Sequence, residues 1–169
     1  MRRLLVGCAA LCLCLSPAFA GPKDSHKDHQ KCDTCSTIHK SGEGWCDHCK
    51  GGMVCHIAVK DKKIYESMKD SKYAQVLEKG TVCTAAEANK CAECKKLYES
   101  HKDGWCKKCD GGLVAGRFFK GKAAYDKAVD AERVLVEASK AHCEGCGEAI
   151  ASDGKCAHCK VSYKDGKKV

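Results

Sequence analysis

Six pairs of cysteines, each separated by two residues, constrain this chain more than any other feature of its sequence. Random placement of 17 cysteines in 169 residues would give about one such pair, so six pairs are a strong indication that the cysteines act together. They group by twos, with nine to eleven residues between the two pairs of a group and far longer gaps between groups. The first quartet is Cys32, Cys35, Cys46 and Cys49; the second is Cys91, Cys94, Cys106 and Cys109; the third is Cys143, Cys146, Cys156 and Cys159.

The spacing within a quartet suits a metal ion. A Cys-x2-Cys turn places two sulfurs on one side of a tight loop, where backbone N–H groups can point at the thiolates. Two such turns, joined by a β-hairpin, would present four sulfurs tetrahedrally at about 2.3 Å from a Zn²⁺ ion. We therefore expect three zinc ions per chain, one in each quartet. A closed four-cysteine site leaves the metal no position for water, so its expected role is structural.

These units resemble the zinc-ribbon families, including the double zinc ribbons. The third quartet is the most similar, because Gly147 follows its first pair as glycine does in such ribbons. The resemblance covers about 18 residues of each unit and implies zinc ligation by the twelve paired cysteines, with a binding or scaffolding role. The other five pairs are followed by other residues, which are Ser36, Lys50, Lys95, Asp110 and Lys160.

Other uses of the cysteines remain open at this stage. In an oxidising compartment the two strands of each hairpin could instead be cross-linked by disulfides. A redox role would need a low-pKa thiol at a helix start in a βαβ setting, whereas these pairs are expected in hairpins. Haem attachment of the ordinary kind needs a histidine after the pair, and none of the six pairs has one. Three pairs are followed by lysine, which leaves open only an unusual lysine-ligated haem.

The quartets belong to an internal repeat. Gly44-Trp45-Cys46 recurs as Gly104-Trp105-Cys106, and the match continues downstream at a constant offset of 60 residues. We divide the chain into repeat 1 (residues 32–90), repeat 2 (91–142) and a truncated third copy (143–169). The expected fold class is α+β: a small repeat protein in which each zinc-ribbon-like hairpin is followed by a short strand and a helix, with a third ribbon at the end.

The segment after each quartet predicts one strand and one helix. The strand is expected over residues 53–59 and 113–119, with alternate side chains on one face. Asp61 and Gly121 are plausible N-caps for the helices. Gly80 is expected to end the first helix, and the second should run to about Ala141.

Two cysteines of the predicted mature chain lie outside the six pairs. Cys55 and Cys83 both occur only in the first copy, and Ala115 stands where the second copy would have the equivalent of Cys55. We expect them to form a disulfide that links the segment after the helix covalently to the strand. The alternative is two buried free thiols.

Several residues near the quartets have simple expected roles. Trp45 and Trp105 precede the second pair of their units and are expected to pack beneath the metal site, with a surface anchor for a partner as the alternative. His48 and His158 lie between paired cysteines and are expected to be exposed turn residues. The glycine pairs at 51–52 and 111–112 are expected to turn the chain from ribbon to strand.

The first twenty residues have the features of a secretory signal peptide. Arg2 and Arg3 precede an apolar stretch of about 12 residues, and Ala18-Phe19-Ala20 is a suitable cleavage site. Cleavage would leave 14 of the 17 cysteines, with a polar, flexible leader over residues 21–31. A lipoprotein modified at Cys8 is the alternative. The short signal is typical of bacteria, so the expected location is periplasmic or secreted.

The remaining sequence favours a binding or structural protein over an enzyme. It contains no nucleophile-elbow serine, no His-Glu-x-x-His and no three-ligand metal motif. Removing Arg2 and Arg3 lowers the formal charge from +8 to +6, a mild excess that, with export, argues against nucleic acid. No membrane span or small-molecule substrate is expected, and another exported protein is the candidate partner. Buffering of zinc, copper(I) or cadmium is an alternative function, because thiolates suit soft metals.

Overall fold

The structure, a computed structural model, describes residues 32–169. The predicted signal peptide (1–20), the predicted leader (21–31) and Cys8 lie outside these residues. The helices are α1 (Asp33–Ser41), α2 (Lys62–Lys69), α3 (Lys72–Glu78), α4 (Ala85–Ala88), α5 (Ala92–Ser100), α6 (Lys122–Ser139) and α7 (Glu144–Ser152). The strands are β1 (Gly44–Cys46), β2 (Gly51–Val54), β3 (Ile57–Val59), β4 (Thr81–Val82), β5 (Gly104–Cys106), β6 (Gly111–Val114), β7 (Arg117–Lys120), β8 (Tyr163–Lys164) and β9 (Lys167–Lys168).

The predicted α+β class is confirmed: small antiparallel sheets alternate with helices. In the first unit the strands follow the order β1-β2-β3, and in the second the order β4-β7-β6-β5. The additional strand β4 lies within the segment assigned to repeat 1 but pairs with β7, so a strand of repeat 1 forms one edge of the second sheet. The third unit has α7 and the short hairpin β8–β9.

The hairpin predicted between the two pairs of each quartet is wrong, because a helix occupies most of that segment. Cys32, Cys91 and Cys143 are the N-caps of α1, α5 and α7, which then fill most of the gap to the second pair. An acidic residue in the first turn of each helix, namely Asp33, Glu93 and Glu144, favours helix there through the helix dipole. Spacing alone missed this because cysteines three apart fit the first turn of a helix as well as a tight loop.

The single strand predicted over residues 53–59 is instead a hairpin. Cys55 and His56 both adopt left-handed backbone angles, with φ of 48° and 64°, and reverse the chain between β2 and β3. Ala115 and Gly116 do the same between β6 and β7. Two successive left-handed residues are typical of a type I′ turn, whose twist matches that of the flanking strands. The predicted alternation on one face therefore ends at the turn.

Both predicted N-caps are confirmed. The Asp61 side chain accepts hydrogen bonds from the backbone N–H groups of Lys63 and Ile64, and Gly121 begins α6. The helix predicted to end at Gly80 is divided in two, since Ser71 caps a new helix by accepting a hydrogen bond from Ala74 N–H. The second helix ends at Ser139, close to the expected position.

Helix α7 of the third unit lies in the main core. The core joins α2, α3, α6 and α7 to the sheets, and its most buried large side chains include Met68, Leu77 and Leu135. Gly147 of α7 lies directly against Ile64, where a Cβ atom would overlap that side chain. Two polar contacts hold α7 at its ends: Lys63 Nζ lies 2.7 Å from Glu144 Oε1, and the Tyr73 hydroxyl donates to Asp153 Oδ1 over 2.6 Å. The third unit is thus part of the folded body rather than an appended ribbon.

Candidate metal centres

Each quartet combines one pair at a helix N-terminus with one pair in a hairpin turn. In the first, Cys32 and Cys35 begin α1, while Cys46 ends β1 and Cys49 lies in the turn before β2. The second quartet has the same arrangement with α5 and the β5–β6 turn. In the third, α7 supplies the first pair, and the second lies in a turn closed by the bridge between Lys155 and Ser162.

The residues after the cysteine pairs now have a structural explanation. Lys50, Asp110 and Lys160 follow the hairpin pairs and adopt left-handed angles, with φ of 52°, 48° and 59°. Glycine is common at such positions because it has no Cβ to oppose that angle, so these residues hold the same turn under mild strain. Ser36 and Lys95 follow the other pairs and lie inside helices, where no special angle is needed.

The sulfur positions fit a tetrahedral metal ion. Within each quartet all four Sγ atoms lie within 4.8 Å of one another. Measured Sγ–Sγ distances include 3.7 Å for Cys32–Cys46, 3.5 Å for Cys94–Cys109 and 3.8 Å for Cys143–Cys156. Four sulfurs placed tetrahedrally at about 2.3 Å from Zn²⁺ would be separated by about 3.8 Å. The residues present therefore fit a closed four-thiolate centre, and among residues 32–169 no cysteines are joined as disulfides.

Hydrogen bonds from backbone N–H groups stabilise the thiolate form of some of these cysteines. The pKa of Cys32 falls to about 7 and that of Cys91 to about 6, mainly because N–H groups in the first helical turn point at the sulfur. In the third quartet, the N–H of Cys159 lies 3.3 Å from Cys156 Sγ and lowers the pKa of that thiol to about 7. Other thiols have raised pKa values, among them Cys35, Cys94 and Cys159, because a neighbouring sulfur or burial opposes a further charge. A bound cation would remove this repulsion.

The three quartets differ in how they join the core. The buried sulfurs of the first and second quartets form small clusters of their own, apart from the main core. In the third, Cys156 is 1% exposed and belongs to the main core, with Cys143 and Cys146 packed against it. Cys159, in contrast, is exposed.

The aromatic residues near the quartets pack against the following helix. The ring centroid of Trp45 lies 5.4 Å from that of Tyr65, and Trp105 lies 5.2 Å from Tyr125 in the same way. The tryptophans are half-buried and pack against a tyrosine of the following helix, and their expected place beneath the metal site stays a prediction. His48 and His158 are exposed, as predicted, and each ring Nδ1 lies close to the sulfur of the next cysteine, at 3.7 Å and 3.6 Å.

The structure does not form the predicted Cys55–Cys83 disulfide. Cys55 is buried in the β2–β3 turn at 1% exposure. Cys83 follows β4 on the neighbouring sheet, where its N–H donates to Gly116 O over 3.4 Å and its sulfur lies 3.8 Å from Thr84 O. The pairing of β4 with β7 of the second sheet was not expected from the sequence.

A cleft of about 550 Å³ between the first two units was also missed from the sequence. Its lining includes His56, His101, Asp103 and Glu132. Burial and a hydrogen bond to the Asp103 carboxyl raise the pKa of Glu132 to about 8, so Glu132 keeps its proton at neutral pH. Among the described residues, groups of three or more metal-donor atoms close enough to share an ion occur only in the cysteine quartets, so the cleft holds no preformed metal site.

Comparison of the chain with protein-family models, with curated proteins and with solved structures finds no match in any of the three. The centres must therefore be interpreted from their own geometry. Within residues 32–169, no helix is both long and apolar enough to cross a membrane.

Proposed function

We propose that this chain is an exported scaffold or protein-interaction module in which three Cys₄ centres each hold one zinc ion. The observation that carries the proposal is that the four sulfurs of each quartet lie within 4.8 Å of one another in all three quartets. Zinc suits such a set because it is stable with four thiolates, has no redox chemistry and accepts tetrahedral geometry. Export to the periplasm or beyond is supported by the features of residues 1–20.

The proposed role of the ions is to stabilise the fold. In the first and second quartets, the sulfurs join a helix start to a hairpin turn, and these small clusters have few large apolar side chains around them. A zinc ion there would supply binding energy that the local core lacks. Four thiolate ligands would leave zinc no position for a water molecule, which favours a structural role and argues against catalysis.

Metal removal tests this proposal. The zinc-loaded mature chain should be treated with a strong chelator under a reducing, oxygen-free buffer, and followed by tryptophan fluorescence and circular dichroism. We expect loss of the Trp45 and Trp105 environments as the hairpins loosen, with recovery on adding zinc but not magnesium, a hard ion that disfavours thiolates. Unchanged spectra after verified removal of all metal would overturn the structural role.

A further inference from the structure

The third quartet differs from the other two in the exposure of its last cysteine. Cys159 is exposed, whereas its counterparts Cys49 and Cys109 are partly buried. All three lie at the same position, in the hairpin turn that follows the third cysteine of the quartet. Of the twelve quartet cysteines, Cys159 alone is an exposed residue, so it is the one that an incoming ligand can approach from solvent.

The other three sulfurs of this quartet are held firmly. Cys156 lies in the main core, and Cys143 and Cys146 pack against it. The buried Tyr163 hydroxyl hydrogen-bonds the sulfur of Cys146. Cys143 and Cys146 are placed by α7, which packs into the core, and Cys156 belongs to the core itself, so the core supports these three cysteines independently of Cys159.

Cys159 and the residues next to it in the chain are exposed to solvent. It lies in a short turn whose next residue, Lys160, has a left-handed φ of 59°. Its neighbour His158 is also exposed, with Nδ1 at 3.6 Å from the Cys159 sulfur. The first quartet has the same histidine arrangement, His48 beside Cys49 at 3.7 Å, but Cys49 as a residue is less exposed than Cys159. The first quartet therefore serves as the comparison, because it has the same histidine–cysteine contact with a less exposed cysteine and lies outside the main core.

We propose that Cys159 is an exchangeable ligand, which an external thiolate replaces while Cys143, Cys146 and Cys156 keep the metal. One metal–sulfur bond breaks as one forms, and a thiolate replaces a thiolate, so the charge of the centre does not change. This inference rests on the proposed metal occupancy and adds to it: all three centres stabilise the fold, and the third also accepts a soft ligand. The incoming thiolate is either a small thiol or a cysteine side chain of another protein, since both present the same donor atom.

Cadmium NMR on the full mature chain tests this inference, because cadmium binds thiolates as zinc does and reports each centre separately. Three resonances are expected, and the one lost or shifted in Cys159→Ser identifies the third centre. Titration with free cysteine should shift that resonance alone, with circular dichroism unchanged. A second titration uses a short peptide that contains Cys-x-x-Cys. If the third resonance responds to the peptide but not to free cysteine, the incoming thiolate is a cysteine side chain of another protein.

Matched variants complete the test. Cys49→Ser and Cys109→Ser identify the other two resonances, which should not respond to added thiol at concentrations that shift the third. A uniform response of all three resonances, or a first response at the first or second centre, would overturn the exchange role of Cys159. Fewer than three cadmium resonances in the native chain would instead contradict the proposed metal occupancy itself.

Discussion

Glu132 and Asp103 are two acidic residues whose carboxyl groups meet in the cleft between the first two units. Glu132 has a pKa of about 8, well above its ordinary value of 4.5, because burial and the neighbouring carboxyl both oppose its charge. Between these two values the folded chain keeps a proton that the unfolded chain has released. The contribution of Glu132 to the free energy of unfolding is therefore fully present below about pH 4.5 and is lost as the pH rises to about 8.

Replacing Glu132 by glutamine should remove this pH dependence. Glutamine keeps a hydrogen-bonding side chain but cannot ionise, so Glu132→Gln should be more stable than the native chain at pH 8 and about equally stable near pH 5. Urea unfolding of the metal-loaded protein across this pH range measures the difference. Glu137→Gln, at an exposed position of the same helix, is the control and should follow the native curve. A Glu132 variant with the native pH profile would contradict the assignment.

Within the sheets, the repeated tryptophan, glycine and tyrosine act as one packing element. Trp45 pairs with Gly52 across β1 and β2, and its ring packs against Tyr65 of α2. A Cβ atom on Gly52 would lie 2.5 Å from Gly44 O and 2.8 Å from the Trp45 ring. Gly52 is thus required by close approach within a strand, and not as the chain reversal expected from the sequence.

The two adjacent glycines of β2 should respond differently to alanine. Gly52→Ala forces strand and ring apart and should lower the free energy of unfolding by about 1–3 kcal/mol. Gly51→Ala is the matched control, since its Cβ would meet nothing closer than Val59 O at 3.7 Å, an ordinary contact. Denaturant unfolding of both variants, with metal content verified, measures the difference. Equal stability of the two would contradict the packing account.

Local signals explain which elements the sequence predicts. The cysteine spacing identified all three quartets, and the residue types of Asp61 and Gly121 identified two helix starts, because each of these features acts within a few residues. The helix between the pairs of a quartet was missed, although Asp33 in the first turn and the apolar Ile38 further along α1 were signals for it. The β2–β3 turn was missed because Cys55 is not a typical turn residue, although His56 is of a type enriched at positive φ.

Features that depend on the whole molecule had no local signal. Glu132 and Asp103 are 29 residues apart, and only the packing of α6 beside the second sheet brings them together. The place of α7 in the core depends on contacts with α2 and α6, which the cysteine spacing does not encode. For this reason, the third unit was expected to be a terminal ribbon but forms part of the main core.

Loss of the third centre should therefore affect the whole molecule, and loss of the second should remain local. Cys156 belongs to the main core, whereas Cys106 belongs to a separate small cluster. Cys106→Ser and Cys156→Ser should each remove one metal ion, because an incomplete site loses binding energy. Hydrogen exchange should show lost protection in α6 only for Cys156→Ser, with Cys106→Ser loosening α5 and the β5–β6 hairpin. Equal effects on α6 in both variants would contradict this division.

The central claim is that the three quartets hold metal rather than disulfides. Elemental analysis and native mass spectrometry of the unreduced mature protein, purified from its native compartment, test it most directly. The account predicts three zinc ions per chain, with the twelve quartet thiols reactive toward alkylation once the metal is removed under denaturing conditions. A zinc content near zero, together with no free thiols after denaturation, would contradict the account and identify a disulfide scaffold instead.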